Sequence, residues 1–175
     1  QQLARAAKSE SGRIHALHTL RTLAALEESD LRTALRDSNA VVRTHAIRLA
    51  AGTGLVPGDD LRALADDGDL RVRFQLALVE SDSVTLVKLI QRDVENPWLR
   101  AAVLGGLGAG AADVFAALVL DGSFTDRQGA SEFLRESARI AGASAPWRRV
   151  ALGLRVSGQS PDALALASAV AAGLE

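Results

Sequence analysis

The residues best suited to chemistry in this sequence are its three histidines. His15 and His18 are three apart, a spacing that puts both on one helix face. His45 follows His15 by 30 residues. Three imidazoles within reach of one another would suit a zinc ion, and a single one could ligate a non-covalent haem. Neither reading is reinforced by the surrounding sequence. A His-Glu-x-x-His pattern is missing, and Gln75, which occupies the place of His15 and His45 after a further 30 residues, reads as an ordinary polar surface residue. His15, His18 and His45 are thus candidate ligands, and the expectation is that no metal and no cofactor is bound.

Other chemistries fare no better. Cysteine is absent, which removes thiol nucleophiles, thiolate metal sites, disulfides and covalent haem attachment through this stretch. A Gly-x-Ser-x-Gly nucleophile elbow does not occur. The run Gly106-Leu-Gly-Ala-Gly110 lacks both a preceding strand and a Gly-Lys-Ser/Thr ending, so it reads as a helix C-terminus and not a phosphate loop. Acid pairs such as Asp59-Asp60 and Asp66-Asp67 sit at helix starts and turns, where carboxylates cap helices and offset the macrodipole. The sequence therefore predicts no catalytic residue and no enzymatic activity.

The strongest pattern is a repeat. Arg13, Arg43 and Arg73 are spaced by 30 residues, and a fourth copy starts at Arg100 after 27. The match extends upstream, pairing Leu31 with Leu61, Asp37 with Asp67 and Val42 with Val72. Each unit reads as two helices joined by a polar turn. Asp30 to Arg36 and Asp60 to Ala65 are first helices, Asp37-Ser38-Asn39 and Asp66 to Asp69 are turns, and the second helices carry apolar faces such as Ala46, Ile47, Leu49 and Ala50, or Val72, Leu76 and Val79. Further helices are expected from Pro97, over Ala112 to Leu120, Gly129 to Ala141, Trp147 to Val156 and Pro161 to Ala172. Arg13, Arg43, Arg73 and Arg100, with Asp37, Asp67 and Asp93 in the turns, form an expected structural ladder of opposite charges. A basic row for an acidic ligand is the alternative.

Composition agrees with helices. Hydrophobic residues make up 48% and aromatics only 3%, so the core must be built from Ala, Leu and Val, and the β-branched and aromatic enrichment of sheets is missing. The fold class expected is all-α, a right-handed solenoid of about six antiparallel helix pairs in a single domain spanning 1–175, with clear repeats over 13–107 and degenerate ones over 108–175. A net charge of −1 does not suggest a nucleic-acid footprint. The stretch Ala101 to Leu120 carries Asp113 as its sole charge, but Gly105, Gly106, Gly108 and Gly110 interrupt it, which points to two short buried helices instead of a membrane span.

Asp37-Ser-Asn-Ala-Val-Val-Arg43, Asp67-Gly-Asp-Leu-Arg-Val-Arg73 and Asp93-Val-Glu-Asn-Pro-Trp-Leu-Arg100 resemble HEAT repeats of the short bacterial type, whose hallmark is a turn Asp followed by Val-Arg at the start of the second helix. The first copy keeps both, the second shifts the charge spacing, and the third has Leu99 for Val. More narrowly, Arg13-Ile-His-Ala-Leu-His-Thr-Leu, Asp37 through Leu49, Val72-Arg-Phe-Gln-Leu-Ala-Leu and Pro97-Trp-Leu-Arg-Ala-Ala-Val-Leu are similar to a HEAT-like region of very large secreted bacterial proteins, where it lies between a dehydrogenase-like β-propeller and a cytochrome c-type domain. That resemblance implies an extracytoplasmic parent protein whose redox chemistry lies in other domains.

The function expected is a non-catalytic scaffold that binds a protein partner or spaces neighbouring domains of a larger chain, of which Gln1 looks like a cut end. A linker within an extracytoplasmic haem and dehydrogenase protein is one alternative; a nucleic-acid-binding helical array, whose basic face would draw on Arg13, Arg21, Arg43, Arg48, Arg71 and Arg73, is another. Trp98 and Trp147 read as packing anchors near repeat junctions, or as interface residues if exposed. Asp162 is the one charge in the helix Pro161 to Ala172, so that helix should continue to pack, either on a further repeat or on a second copy of the chain, with Leu164, Leu166 and Val170 in a homodimer contact.

Overall fold

A computed structural model describes residues 9–119 and 121–144. Among these the protein is all-helical, with ten α-helices, two 3-10 helices and no strand. The expected helices Trp147 to Val156 and Pro161 to Ala172, and with them Trp147, Leu164, Leu166 and Val170, lie outside the described residues. Two compact units meet at the Val79/Glu80 boundary, which falls inside the run of clear repeats.

The first unit contains α1 (Glu10–Thr22), α2 (Glu28–Leu35), α3 (Ala40–Thr53), α4 (Gly58–Arg62) and α5 (Leu70–Ala77). Its second-of-pair helices start at one repeated signal. Ser9, Asn39 and Asp69, spaced by 30, are the N-caps of α1, α3 and α5, and each side chain accepts a hydrogen bond from the first turn. Such caps satisfy N–H groups that have no partner within the helix and are each worth about 1 kcal/mol. The helix α3 ends at Gly54, whose φ of 65° lets its N–H reach the Ala50 carbonyl, a left-handed closure that favours glycine.

Burial follows the same register. Val42 and Val72, one residue before Arg43 and Arg73, are buried, as are Ala46 and Leu76 four residues further on. Leu17 and Ile47, each four residues after its arginine, join them. The central helix α3 packs against α1, α2 and α5. The expected first helix Asp60 to Ala65 differs: α4 stops at Arg62, and Ala63–Asp66 is a 3-10 turn. With Pro57 before it and four residues of acid-rich turn after it, this segment closes by the tighter i to i+3 bonding that often ends helices, Asp67 N–H to Leu64 O at 3.1 Å.

The second unit contains α6 (Ser83–Asp93), α7 (Pro97–Gly106), α8 (Ala111–Val119), α9 (Gly122–Thr125) and α10 (Ala130–Ser144), with Gly108–Gly110 as a 3-10 turn before α8. Asn96 caps α7 by accepting from the N–H groups of Trp98 and Leu99, and Pro97 occupies the first turn, where its missing N–H costs nothing. Asn96 sits four residues before Arg100, as Asn39 and Asp69 sit before theirs. The core is formed where α6 and α10 pack on α8 and α7 packs on α6 and α10. Leu89, Ile90, Val103, Val114, Phe115 and Leu118 are fully buried there, and Phe124 meets Phe133 edge to face at 6.4 Å.

Residues 97–119 hold the apolar stretch whose glycines spoke against a span. No single described helix is long and apolar enough to cross a membrane, and the two helical segments here are bent by 103° at the Gly turn. Gly110 lies close to α6: a Cβ there would fall 2.5 Å from Ser83 Oγ, so the hydroxyl would have to turn away.

Candidate functional site

In the first unit the arginines and turn acids meet in a fixed geometry. Arg13 donates from Nε and Nη2 to the two carboxylate oxygens of Asp37, at 2.7 and 2.9 Å. Arg43 does the same to Asp67, at 2.7 and 2.7 Å. In both cases the acid lies 24 residues ahead, in the turn of the following repeat. The remaining guanidinium nitrogen of Arg43 reaches back to its own turn, donating to Asp37 O at 2.8 Å and Ser38 O at 3.2 Å. Arg73 repeats this on Asp67 O at 2.6 Å. One arginine thus fastens its own turn and the next. Each acid also ties down its own turn, Asp37 by accepting from Asn39 N–H and Asp67 from Asp69 N–H, both at 2.8 Å.

Asp67 retains 7% of its side-chain exposure. Burial pushes its carboxyl up, but the Arg43 hydrogen bonds, the Asp69 N–H and the Arg43 charge outweigh burial, and the net shift is downward. The neighbouring Asp69 is held at about 2 by the Arg71 side chain and N–H. Planar, bidentate and charge-assisted pairs of this kind are the stronger class of hydrogen bond.

A second row links the residue five places after one arginine to the residue two places after the next. His18 Nε2 and His45 Nδ1 are 3.0 Å apart, with rings edge to face at 5.1 Å. Thirty residues on, Arg48 Nη2 donates to Gln75 Oε1 at 3.0 Å. Both contacts span 27 residues. Gln75 is therefore not the surface residue expected from the sequence: it keeps 6% exposure because Arg48 supplies its partner. His15, its companion in register, is exposed. Burial, then the His18 and Arg48 charges, lowers the pKa of His45. Among the described residues, no three or more His, Asp or Glu side chains are placed to hold a metal ion.

The second unit uses the same residue types in another pattern. Arg100 still reaches its own turn, donating to Val94 O at 2.9 Å and Glu95 O at 3.3 Å. Val94, and not Asp93, holds the place of Asp37 and Asp67, because Asp93 lies seven residues before Arg100 where the other two acids lie six before their arginines. Asp93 instead offers its carbonyl to Asn96 N–H at 2.9 Å. The carboxylate on Arg100 is Glu132 of α10, at 2.8 Å. In return, Arg127 clasps Glu95 with two bonds of 2.7 and 2.6 Å and donates to the carbonyls of Gln91 and Arg92. Two crossing pairs, each 32 residues apart, replace the ladder. Sequence spacing alone could not find them, since neither follows the repeat interval.

Gly129 makes room for this arrangement. Its φ is +86°, and a Cβ would fall 2.4 Å from Arg100 Nη1 and 3.0 Å from Val94 O. Gly129→Ala combines a strained backbone with a displaced guanidinium, so a loss of about 1–3 kcal/mol is expected, measured as a lower midpoint in denaturant unfolding. An unchanged midpoint would show that Arg100 moves away without cost.

Little else is poised for chemistry. A shallow groove of about 330 Å³ between the C-terminal ends of α1 and α3 is lined by Arg21, Ala24, Leu26, Gly52, Thr53 and Leu55, which includes neither an acid–base pair nor a nucleophile with its base. Trp98 is 73% exposed, so it is not a packing anchor within its unit; its position in the first turn of α7 holds the ring at the surface. No protein family, curated protein or solved structure matches the chain.

Proposed function

We propose that this chain is a non-catalytic scaffold built of HEAT-like repeats, stacked as antiparallel helix pairs, which binds a protein partner or spaces neighbouring domains. The observation that carries the proposal is the recurrence of one contact, Arg13 to Asp37 and Arg43 to Asp67, at the same 24-residue interval. A contact repeated at the period of the sequence is what stacked units need, because each unit buries its apolar stripe only against its neighbours. The polar side chains most suggestive of a site are thereby used for cohesion.

The same pairing argues against a nucleic-acid role. Arg13, Arg43 and Arg71 each hold a carboxylate, Arg73 holds a backbone carbonyl and Arg48 holds Gln75. Phosphate binding would require breaking those contacts, and the net charge of −1 supplies no long-range attraction. The test is fluorescence anisotropy of labelled single- and double-stranded DNA at about 50 mM salt, where counterion release favours binding most. No saturable binding is expected at micromolar protein. Salt-sensitive binding that is lost on Arg21→Gln with Arg48→Gln would replace the scaffold reading with the nucleic-acid one.

A further inference from the structure

We propose that the contact between His18 and His45 is a proton-operated latch joining α1 to α3, closed while at least one of the two rings is neutral and opened when both are charged. The geometry is that of one shared hydrogen bond, Nε2 to Nδ1 at 3.0 Å, between rings set edge to face. A neutral imidazole has one donor and one acceptor nitrogen, whereas an imidazolium has two donors. Two imidazolium rings in this position would face N–H to N–H, with no acceptor between them and two positive charges in contact.

The surroundings favour opening on acidification. Arg48 lies three residues beyond His45 on the same helix and adds positive charge, and burial already disfavours the charged form of His45. Compensating acids are engaged elsewhere on the elements packed against α3. On α1, Glu10 accepts from Asn39 Nδ2 and Arg13 holds Asp37, while His15 and Arg21 are exposed. On α2, Glu28 is bound to Arg32 and Asp30 accepts from Glu27 N–H. On α5, Arg71 is held by Asp69 and Arg73 by Asp67 O. None of these places a free carboxylate beside the imidazole pair.

The sign follows from linkage. A histidine whose pKa is lowered by folding binds protons less readily folded than unfolded, so its contact is intact above the ordinary imidazole value near 6.5 and weakens as the pH falls through and below it. The next joint in the stack provides an internal control. Arg48 and Gln75 occupy the positions of His18 and His45 one repeat on, and a guanidinium bonded to an amide does not titrate in this range. Acid should therefore loosen the α1–α3 joint and spare the α3–α5 joint.

Amide hydrogen exchange at pH 7.5 and pH 5.0, corrected for intrinsic rates, tests the latch in the whole chain. Protection in α1 is expected to fall about tenfold at pH 5.0, the order set by two unit charges near 3 Å in a water-like medium, with α5 changing much less. The double variant His18→Arg with His45→Gln copies the Arg48–Gln75 joint and should keep α1 protection equal at both pH values. Unchanged α1 protection in the natural sequence, or an equal loss in the double variant, would overturn the proposal. If that variant does not fold at pH 7.5 by circular dichroism, ring-proton titration of the natural sequence decides instead. Two coupled steps for His18 and His45, with the two rings moving apart at the acid end, support the latch; independent titration with the rings still paired contradicts it.

Discussion

Arg43→Met is expected to lower the stability of the first unit by about 3 kcal/mol, the order found when one partner of a largely buried ion pair is removed. Met keeps most of the aliphatic stem, so little packing is lost. What disappears is the bidentate contact to Asp67 and the donor to Asp37 O and Ser38 O. Asp67 is then left at 7% exposure with Asp69 N–H as a remaining donor. A carboxylate so placed loses the cation that holds its pKa down and keeps the burial that pushes it up, so it takes up a proton more readily in the folded variant, and the cost of Arg43→Met should shrink as the pH falls from 7 towards 4. Equilibrium urea unfolding at pH 7, and again near pH 4, measures both. A change below about 0.5 kcal/mol, typical of exposed pairs, would mean that the ladder is a surface ornament and that the packing alone holds the unit.

The packing has its own large test. Ile47→Ala should cost about 3 kcal/mol, within the range for truncating a buried aliphatic side chain by several methyl groups. Ile47 is fully buried in the middle of α3, the helix that packs against α1, α2 and α5, so no solvent can fill the space and collapse is opposed from three sides. Leu17 holds the same register position on α1 and is also buried. The urea midpoint reads this effect too; a loss below about 1 kcal/mol would show that neighbouring helices close over the cavity. Because Ile47 and Arg43 are one helical turn apart, their effects are expected to couple and should not be summed.

How much of this was legible in the sequence depends on the range of the interaction. Helical character was written in an Ala- and Leu-rich core with few aromatics, and the 30-residue register placed Val42 with Val72 and Asp37 with Asp67 from spacing alone. Caps were half visible: the polar turns announced helix starts, but the alignment of Ser9, Asn39, Asp69 and Asn96, each four residues before an arginine, emerges only once their bonds to the first turn are seen. That Arg13 and Arg43 grasp the acid of the following turn, not the nearer one, depends on the packing around α3, which spacing does not decide. The nearness of His18 and His45 was legible in their spacing, but the Arg48–Gln75 contact that continues their row was missed, because Gln75 reads as a surface residue until Arg48 is seen to supply its partner. Nothing periodic points to Arg127 and Glu95 or to Gly129. Those contacts belong to the packing of α10 on α7 and of its preceding loop on the end of α6, and Trp98, which reads in the sequence as a packing anchor near a repeat junction or an interface residue if exposed, is exposed.

The central claim is that Arg43 and Asp67 act on each other across a repeat junction, and a double-mutant cycle measures that directly. Arg43→Met, Asp67→Asn and the two together would be compared with the natural sequence by urea unfolding at pH 7. A coupling of at least about 1.5 kcal/mol is predicted, with the double variant losing clearly less than the sum of the single ones, since removing both charges leaves neither stranded. Additive losses within about 0.3 kcal/mol would contradict it, because the two side chains would then stabilise their own helices independently and the recurring contact would not be what joins one repeat to the next.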